Sequence, residues 1–448
     1  MSKRLVIIIS VIFAVAVATG VAVLTWWLVS GRHSFSTIRL EGDGLGDVEF
    51  TAAYTRIRNT GDIFWWFYPT TATNKTTQPV ILWLDGVTGL PPSLFANFMM
   101  FGPYDVNLNR RSNSWINSYN LLFVDSPLGT GFSTAHDGRI PNDLNGNAEH
   151  LHMVLQSFYS LHSDYSDTPL YICGQGDGGQ LAIALASIVS GSNQVPSNLK
   201  GVIIGNGIIS PAVALTKLGF YLEELAYIDA NGRDAIERLS YDVNELVNER
   251  KYEDAFDDFI LLGDFVNERA GAVAVNLRHI IDKLIRGSAR DFFGHSTYLR
   301  DAFSSTNEAY KFMEAIIAPA LGISSDVTYD DGRDDALKAF RSFLMNPATV
   351  TLERVLRDTE IPVTFYNGNL DAVSNTPGQL EWINNLTWPG QQQFLSARRS
   401  TLIVNSLVEG YFRETPRLTF YWMNAAGQAV PIESPVAMRR ILDRITSN

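Results

Sequence analysis

Short apolar runs, several ending in a turn residue and alternating with helically spaced stretches, constrain this 448-residue chain more than any other feature. IFWWFYP, PVILWLDG, NLLFVDSP, PLYICG, LKGVIIGNG and IPVTFYNGNLD read as strands. Helical patterns between several of them predict βαβ units, and so an α/β fold with a mostly parallel central sheet. Chemistry in such sheets gathers at the carboxyl ends of the strands. From about residue 212 to 350 the alternation stops. AIERLSYDVNELVNERKYEDAFDDFILLGDFVNER and AVNLRHIIDKLIRG place apolar residues at helical spacing among charges, which predicts a helical cap insertion. Strand signals return at Ile361, and the chain closes with RLTFYWMNAAGQ and the helical SPVAMRRILDRI. The expected organisation is therefore a leader over 1–33, a core in two parts over 34–211 and 351–448, and the cap over 212–350.

The leader carries no charge from residue 5 to residue 31, long enough for one transmembrane helix across a bilayer core of about 30 Å. A cleaved signal peptide has a shorter apolar region, so an uncleaved signal anchor is the preferred reading, and cleavage near Ala18 to Gly20 is the alternative. Lys3 and Arg4 are expected on the cytoplasmic side, which places the rest in the lumen or outside as a single-pass membrane protein. Cleavage would make it secreted or lysosomal. Sequons at Asn74 (NKT) and Asn385 (NLT) fit a glycoprotein on that side. A net charge of −12 without a basic stripe argues against nucleic acid as a partner. The single cysteine, Cys173, excludes an intrachain disulfide.

PLYICGQGDGGQLAIALASIV, residues 169–189, has the glycine frame of the nucleophile elbow, a sharp strand-to-helix turn that needs small neighbours around its central residue. The central position is Gly176, which offers no atom for acyl transfer. Gly174, Gly176 and Gly179 also match a dinucleotide GxGxxG, but no suitable acidic residue stands at the next strand end. The acidic run SSDVTYDDGRDDALKAF, with Asp326, Asp330, Asp331, Asp334 and Asp335, lacks EF-hand spacing and reads as a solvated turn with an Asp capping the next helix. Neither HExxH nor paired CxxC occurs, so no metal or other cofactor is expected.

Taken in order, FWWFYPTTA, PVILWLDGVTG, NFMMFGPYDVN, SWINSYNLLFVDSPLGTGFST, PLYICGQGDGG, LKGVIIGNGIISP, VTFYNGNLDAVSNTPGQLEWINNLTWPG and FYWMNAAGQAVP resemble the serine carboxypeptidases of the α/β-hydrolase fold, most closely their retinoid-inducible branch. The resemblance runs from residue 61 to the end and is loose over the cap. It implies a degenerate triad. The serine of the family's GESYGG-type motif falls on Gly176, the aspartate on Asp371 and the histidine of AGHMVP on Gln428. The glutamate that helps bind a substrate carboxylate falls on Gln175. In the WLNGGPG loop Asp85 replaces an amide, Val87 an oxyanion-hole glycine and Thr88 a proline, while Met100 stands where the family has a glutamate before GP. Two anions at Asp85 and a substrate carboxylate would repel unless one held a proton.

Partners in this fold follow in the order nucleophile, acid, histidine. Every histidine here (His33, His136, His150, His152, His162, His279, His295) precedes Asp371. A histidine from the insertion could reach the site, although no pattern places one there. Asp177, where the family has tyrosine, is an alternative nucleophile, expected to face away from the Gly176 position. Gln428 is expected to donate an amide hydrogen bond to Asp371. The expected function is therefore that of a pseudoenzyme acting in binding or scaffolding, with a protein or peptide partner, including as a subunit of a membrane assembly. The alternative is an active hydrolase using a non-standard nucleophile such as Asp177. Oligomeric state is not legible.

Overall fold

A computed structural model describes residues 34–195, 197–271, 275–282, 298–299 and 302–447. The leader, His33 and His295 lie outside these residues, and with them the expected transmembrane helix. No helix among the described residues is long and apolar enough to cross a membrane.

The strands are β1 (Phe35–Arg39), β2 (Thr51–Ile57), β3 (Gly61–Tyr68), β4 (Val80–Leu84), β5 (Asn120–Val124), β6 (Thr134–Ala135), β7 (Pro169–Gln175), β8 (Asn198–Gly205), β9 (Val363–Gly368), β10 (Ser400–Val404), β11 (Leu407–Glu414) and β12 (Leu418–Met423). They form one sheet in the order β1-β2-β3-β5-β4-β7-β8-β9-β12-β11-β10, with β6 paired to β3. The expectation of a mostly parallel sheet needs correction, because the sheet is mixed. From β5 through β4, β7, β8 and β9 to β12 the pairings are parallel. β1, β2 and β3 flank that centre antiparallel on one side, and β11 and β10 do so on the other. The parallel strands have helices as crossovers, whereas β2 and β3, β10 and β11, and β11 and β12 are joined by short turns, which only antiparallel neighbours allow.

Alternation along each strand splits the core between the two faces of the sheet. Trp65, Phe67, Leu82, Leu84, Ile172 and Leu181 pack on one face with the helices Leu144–Leu161 and Gly178–Gly191. Phe64, Trp66, Tyr68, Ile81, Trp83 and Met438 pack on the other, under the C-terminal helix Pro435–Thr446. With both faces covered, the open edges of the central strands are their ends, and the site forms at the carboxyl ends of β4, β7 and β9.

Between β8 and β9 the described residues form helices, among them Ala230–Asn248, Tyr252–Arg269 and Arg333–Arg341, and no strand. The acidic run at 324–340 keeps Asp326, Asp331, Asp334 and Asp335 exposed, as a solvated turn would, and departs from the expectation at Asp330 and at the cap. Asp330 is buried and accepts hydrogen bonds from the Gly131 amide, the Tyr310 hydroxyl and Arg333 Nε, while the helix Arg333–Arg341 starts at Gly332 without a side-chain cap. Arg333 Nη1 in turn donates to the carbonyls of Val87 (2.6 Å) and Gly89 (2.9 Å), so the insertion fixes the loop after β4.

Candidate functional site

β7 ends at Gln175, the next helix begins at Gly178, and the bend between them falls on Gly176. Gly176 has φ +57°, in the left-handed region that glycine enters without strain. Its neighbours are small for steric reasons. A Cβ on Gly174 would lie 2.3 Å from the Gly178 carbonyl oxygen, and one on Gly178 would lie 2.3 Å from that of Leu84. At Gly176 there is room: a Cβ there would stand 3.3 Å from Gln428 Nε2 and 3.9 Å from Thr88 Oγ1. The turn has the shape of a nucleophile elbow, and the side chains of Gln428 and Thr88 converge on its empty apex.

The carboxylate of Asp177, one residue on, is turned into the loop after β4. Its Oδ2 accepts the Val87 N–H at 2.8 Å, and its Oδ1 accepts the Thr88 N–H at 3.0 Å and the Thr88 hydroxyl. Asp177 stands at the N-cap position of its helix yet caps nothing. Burial pushes its carboxyl above the usual carboxylate range, against the pull of these donors. A nest of backbone N–H groups that could receive an external oxyanion is thus filled from within.

Asp85 is also buried, accepting from Trp83 Nε1 (2.9 Å) and Gln175 Nε2 (3.1 Å). Burial raises its pKa to about 8, with Asp177 adding repulsion, so at neutral pH it holds a proton. The expected conflict between two anions is relieved at Asp85 itself. Val87 and Met100 are buried, the latter in the π-helical turn Phe95–Phe101.

Asp371 follows β9 and is fully buried. Its Oδ1 accepts from the amides of Val373 (2.9 Å) and Ser374 (3.2 Å), and its Oδ2 from Asn206 Nδ2 (2.9 Å). The expected bond from Gln428 is absent among the described residues: the Gln428 amide stands at the elbow apex instead, and Asp371 takes its donors from Asn206 and two backbone amides. Burial lifts the Asp371 pKa to about 6, and the Arg278 guanidinium pulls it back most strongly.

Arg278 and its neighbours are the residues that sequence reasoning missed. The segment carrying them is laced between two loops: Gln428 N donates to the Arg278 carbonyl (2.8 Å), Ala372 N to that of Leu277 (2.7 Å), and Ile280 N to that of Leu370 (2.9 Å). Arg278 is fully buried, and its Nε, Nη1 and Nη2 have no hydrogen-bond partner among the described residues. His279 packs on Gly427, with Nδ1 2.6 Å from Asp282 Oδ1. A histidine of the insertion therefore does reach the Gln428 loop. Glu433 accepts the Gly427 N–H (2.5 Å), and burial raises its pKa to about 7 against the pull of His279. His152 and His162 belong instead to the helix Leu144–Leu161 and its end, where His162 rests on Phe67 and Phe158. Asn74 and Asn385 are exposed. Among the described residues no group of three His, Cys, Asp or Glu side chains is placed to hold a metal ion.

The profile of the serine carboxypeptidase family, peptidase family S10, matches residues 44–448. Serine carboxypeptidase-like 51 of Arabidopsis thaliana is 27% identical over 423 residues, covering 88% of this chain and 91% of its own. The retinoid-inducible serine carboxypeptidase of Rattus norvegicus is 28% identical over 404 residues, covering 85% and 87%. Among solved structures, Kex1(delta)p, a prohormone-processing carboxypeptidase from Saccharomyces cerevisiae, superposes with a TM-score of 0.74 at 20% identity over 92% of this chain and 95% of that one, a likeness of fold. With an elbow at the end of β7, an acid after β9 and a sequence match that spans both parts of the core, the chain belongs to the serine carboxypeptidase family.

Proposed function

We propose that this chain is a catalytically silent serine carboxypeptidase whose pocket binds rather than hydrolyses, presented on the lumenal or outer side of a membrane by an uncleaved N-terminal helix. The carrying observation is the apex of the elbow, where Gly176 has no side chain and the nearest group is an amide, Gln428 Nε2. Neither group attacks a carbonyl, and an amide shuttles no proton at neutral pH. The Asp177 carboxylate on Val87 N and Thr88 N further supports the reading, since an oxyanion would have to displace it. A protein or peptide is the partner most in keeping with the family's substrates, and Asn74 and Asn385 are the proposed glycosylation sites. Purified full-length protein tested on blocked peptides, esters and epoxides should release no product above buffer; turnover that disappears in D177N or H279Q overturns the proposal.

A second reading has one observation in its favour. His279, held by Asp282, lies against the loop of Gln428, so a borrowed imidazole stands near the pocket. For a hydrolase built on it Asp177 is a poor nucleophile, because both its oxygens are engaged by the 87–88 loop.

A further inference from the structure

At the edge of the sheet farthest from β1, the hairpin of β10 and β11 brings three exposed aliphatic side chains together. Ser400–Val404 is paired on one side only, and it carries neither the proline nor the charge that usually blunts an open edge. Ile403, Leu407 and Val408 are each more than half exposed. The strands are joined by a two-residue turn, with Asn405 at φ +50° and Ser406 at φ +67°, a form whose twist matches that of the strands and holds the tip in place. Val404 pairs across the hairpin with Leu407, and Ile403 with Val408, which puts one aliphatic pair on each face. Beside the tip lies a hollow of about 350 Å³, lined by Phe101, Trp115, Val404, Pro431, Pro435 and Val436. Its floor is rigid, because the rings of Phe101 and Trp115 stack 3.7 Å apart. Val404 joins the two features: it lines the hollow and shares its face with Leu407, so projection and hollow are neighbours. Charge is divided between them. Glu409 follows the tip and Arg440 lines the hollow, and neither side chain makes a hydrogen bond or ion pair among the described residues. Arg439, by contrast, is held by Asp443 at 2.8 Å and by Ser118 at 2.5 Å.

We propose that this chain pairs with a second copy of itself through these two features, the hairpin tip of each copy seated in the hollow of the other. A two-fold axis between a projection and a hollow that lie side by side brings each onto its counterpart, so a single patch serves both partners. A tip that is apolar on both faces finds no cover within its own chain, and the hollow supplies it. The same rotation carries Glu409 towards Arg440 of the partner subunit. Opposite charges then meet at the rim and fix the register, while the aliphatic side chains leaving water supply the affinity. A second copy fits the patch better than a bilayer does. The tip is flanked by a carboxylate on a chain of net charge −12, which an anionic lipid surface repels, and a lipid surface has no counterpart for the hollow. The pairing is independent of what the elbow does, since neither feature contains Gly176, Asp177 or Gln428.

The test uses the full-length chain in mild detergent, with L407C and V436C prepared separately and then mixed. Cys173 is buried, so the introduced thiols are the reactive ones. Oxidation is expected to link L407C to V436C at least tenfold more than it links L407C to N193C, an exposed control in the loop after the helix Gly178–Gly191. Light scattering should give twice the chain mass for the natural protein and one chain mass for L407D. E409R and R440E should each weaken association tenfold or more, and the double variant E409R/R440E should recover it, which neither a contact through the leader nor misfolding would produce. A single-chain mass for the natural protein at micromolar concentration, a dimer insensitive to L407D and E409R, or mixed cross-links no more frequent than in the N193C control overturns the proposal. So does an L407C thiol that is shielded from reagent only when phosphatidylcholine vesicles are added, a result that assigns the tip to a lipid surface.

Discussion

On the elbow side of the pocket, Asp177 is paired with Val87 N, Thr88 N and the Thr88 hydroxyl, and Asp85 with Trp83 and Gln175. On the side of the inserted segment, Arg278 has no hydrogen-bond partner among the described residues, and His279 and Glu433 face an open cavity. Asp85, Gln175, Asp177 and Arg278 are buried, whereas His279 and Glu433 are half-buried. The elbow side closes on itself: the amides and hydroxyl of the 87–88 loop and the side chains of Trp83 and Gln175 donate to carboxyls that stand just past the ends of β4 and β7. The inserted side was brought to the pocket from another part of the chain, and there His279 is held by Asp282 and Glu433 by the Gly427 N–H, while the Arg278 side chain is left without a hydrogen-bond partner among the described residues.

The comparison breaks first at Asp177. D177A leaves the Val87 and Thr88 N–H groups without their acceptor and is expected to destabilise the fold by about 3 kcal/mol, the usual scale for removing one partner of a buried charged network. Urea unfolding followed by fluorescence reads this; a loss no larger than that of an exposed control substitution would mean that the elbow side is not closed by this carboxylate.

The next effect is a pH dependence. Burial raises the pKa of Asp371 to about 6, Asp125 to about 7 and Asp85 to about 8, so the folded chain keeps protons that the unfolded chain releases above the ordinary carboxylate range. Stability contributed by these groups is present at pH 5 and lost progressively as pH rises to 8, on the order of 2 kcal/mol for Asp85 alone. D85N should flatten that slope. A thermal midpoint that rises between pH 5 and pH 8 would contradict the assignment of protons to the elbow side.

Smaller still is the effect of filling the apex. G176S has space for its Cβ but must hold φ near +57°, which costs a non-glycine residue about 1 kcal/mol. No hydrolysis is expected to appear with it, because Gln428 and the occupied nest persist. Q428A should cost about 0.5 kcal/mol or less, since its side chain makes no hydrogen bond among the described residues; a loss several times larger would reveal a structural bond to Asp371 after all.

The elbow side was legible in the sequence because its logic is local. Gly174, Gly176 and Gly178 are spaced by the bend itself, and the strands that carry it are apolar runs ending in turns. The flanking strands were not legible. FSTIR in β1 is only half-buried, and LVEGYFRE in β11 carries Gly410 and exposed ends, so neither has a clear apolar period. Their antiparallel pairing turned a sheet expected to be mostly parallel into a mixed one. The inserted side was illegible for a different reason. Arg278 and His279 lie some 150 residues from Gln428 in a segment with no motif, and only the folded chain lays them against it. Asp330 was misread likewise, because its donors come from Gly131 and Tyr310, far apart in sequence.

The proposed silence of the elbow is tested most directly by a single-turnover experiment, in which excess full-length protein is mixed with an activated ester and intact protein mass is followed. The account predicts no acyl adduct at any time and ester loss at the buffer rate, with G176S alone as unreactive as the natural chain. A transient adduct mapped to the described site, or ester loss that vanishes in H279Q, would contradict it.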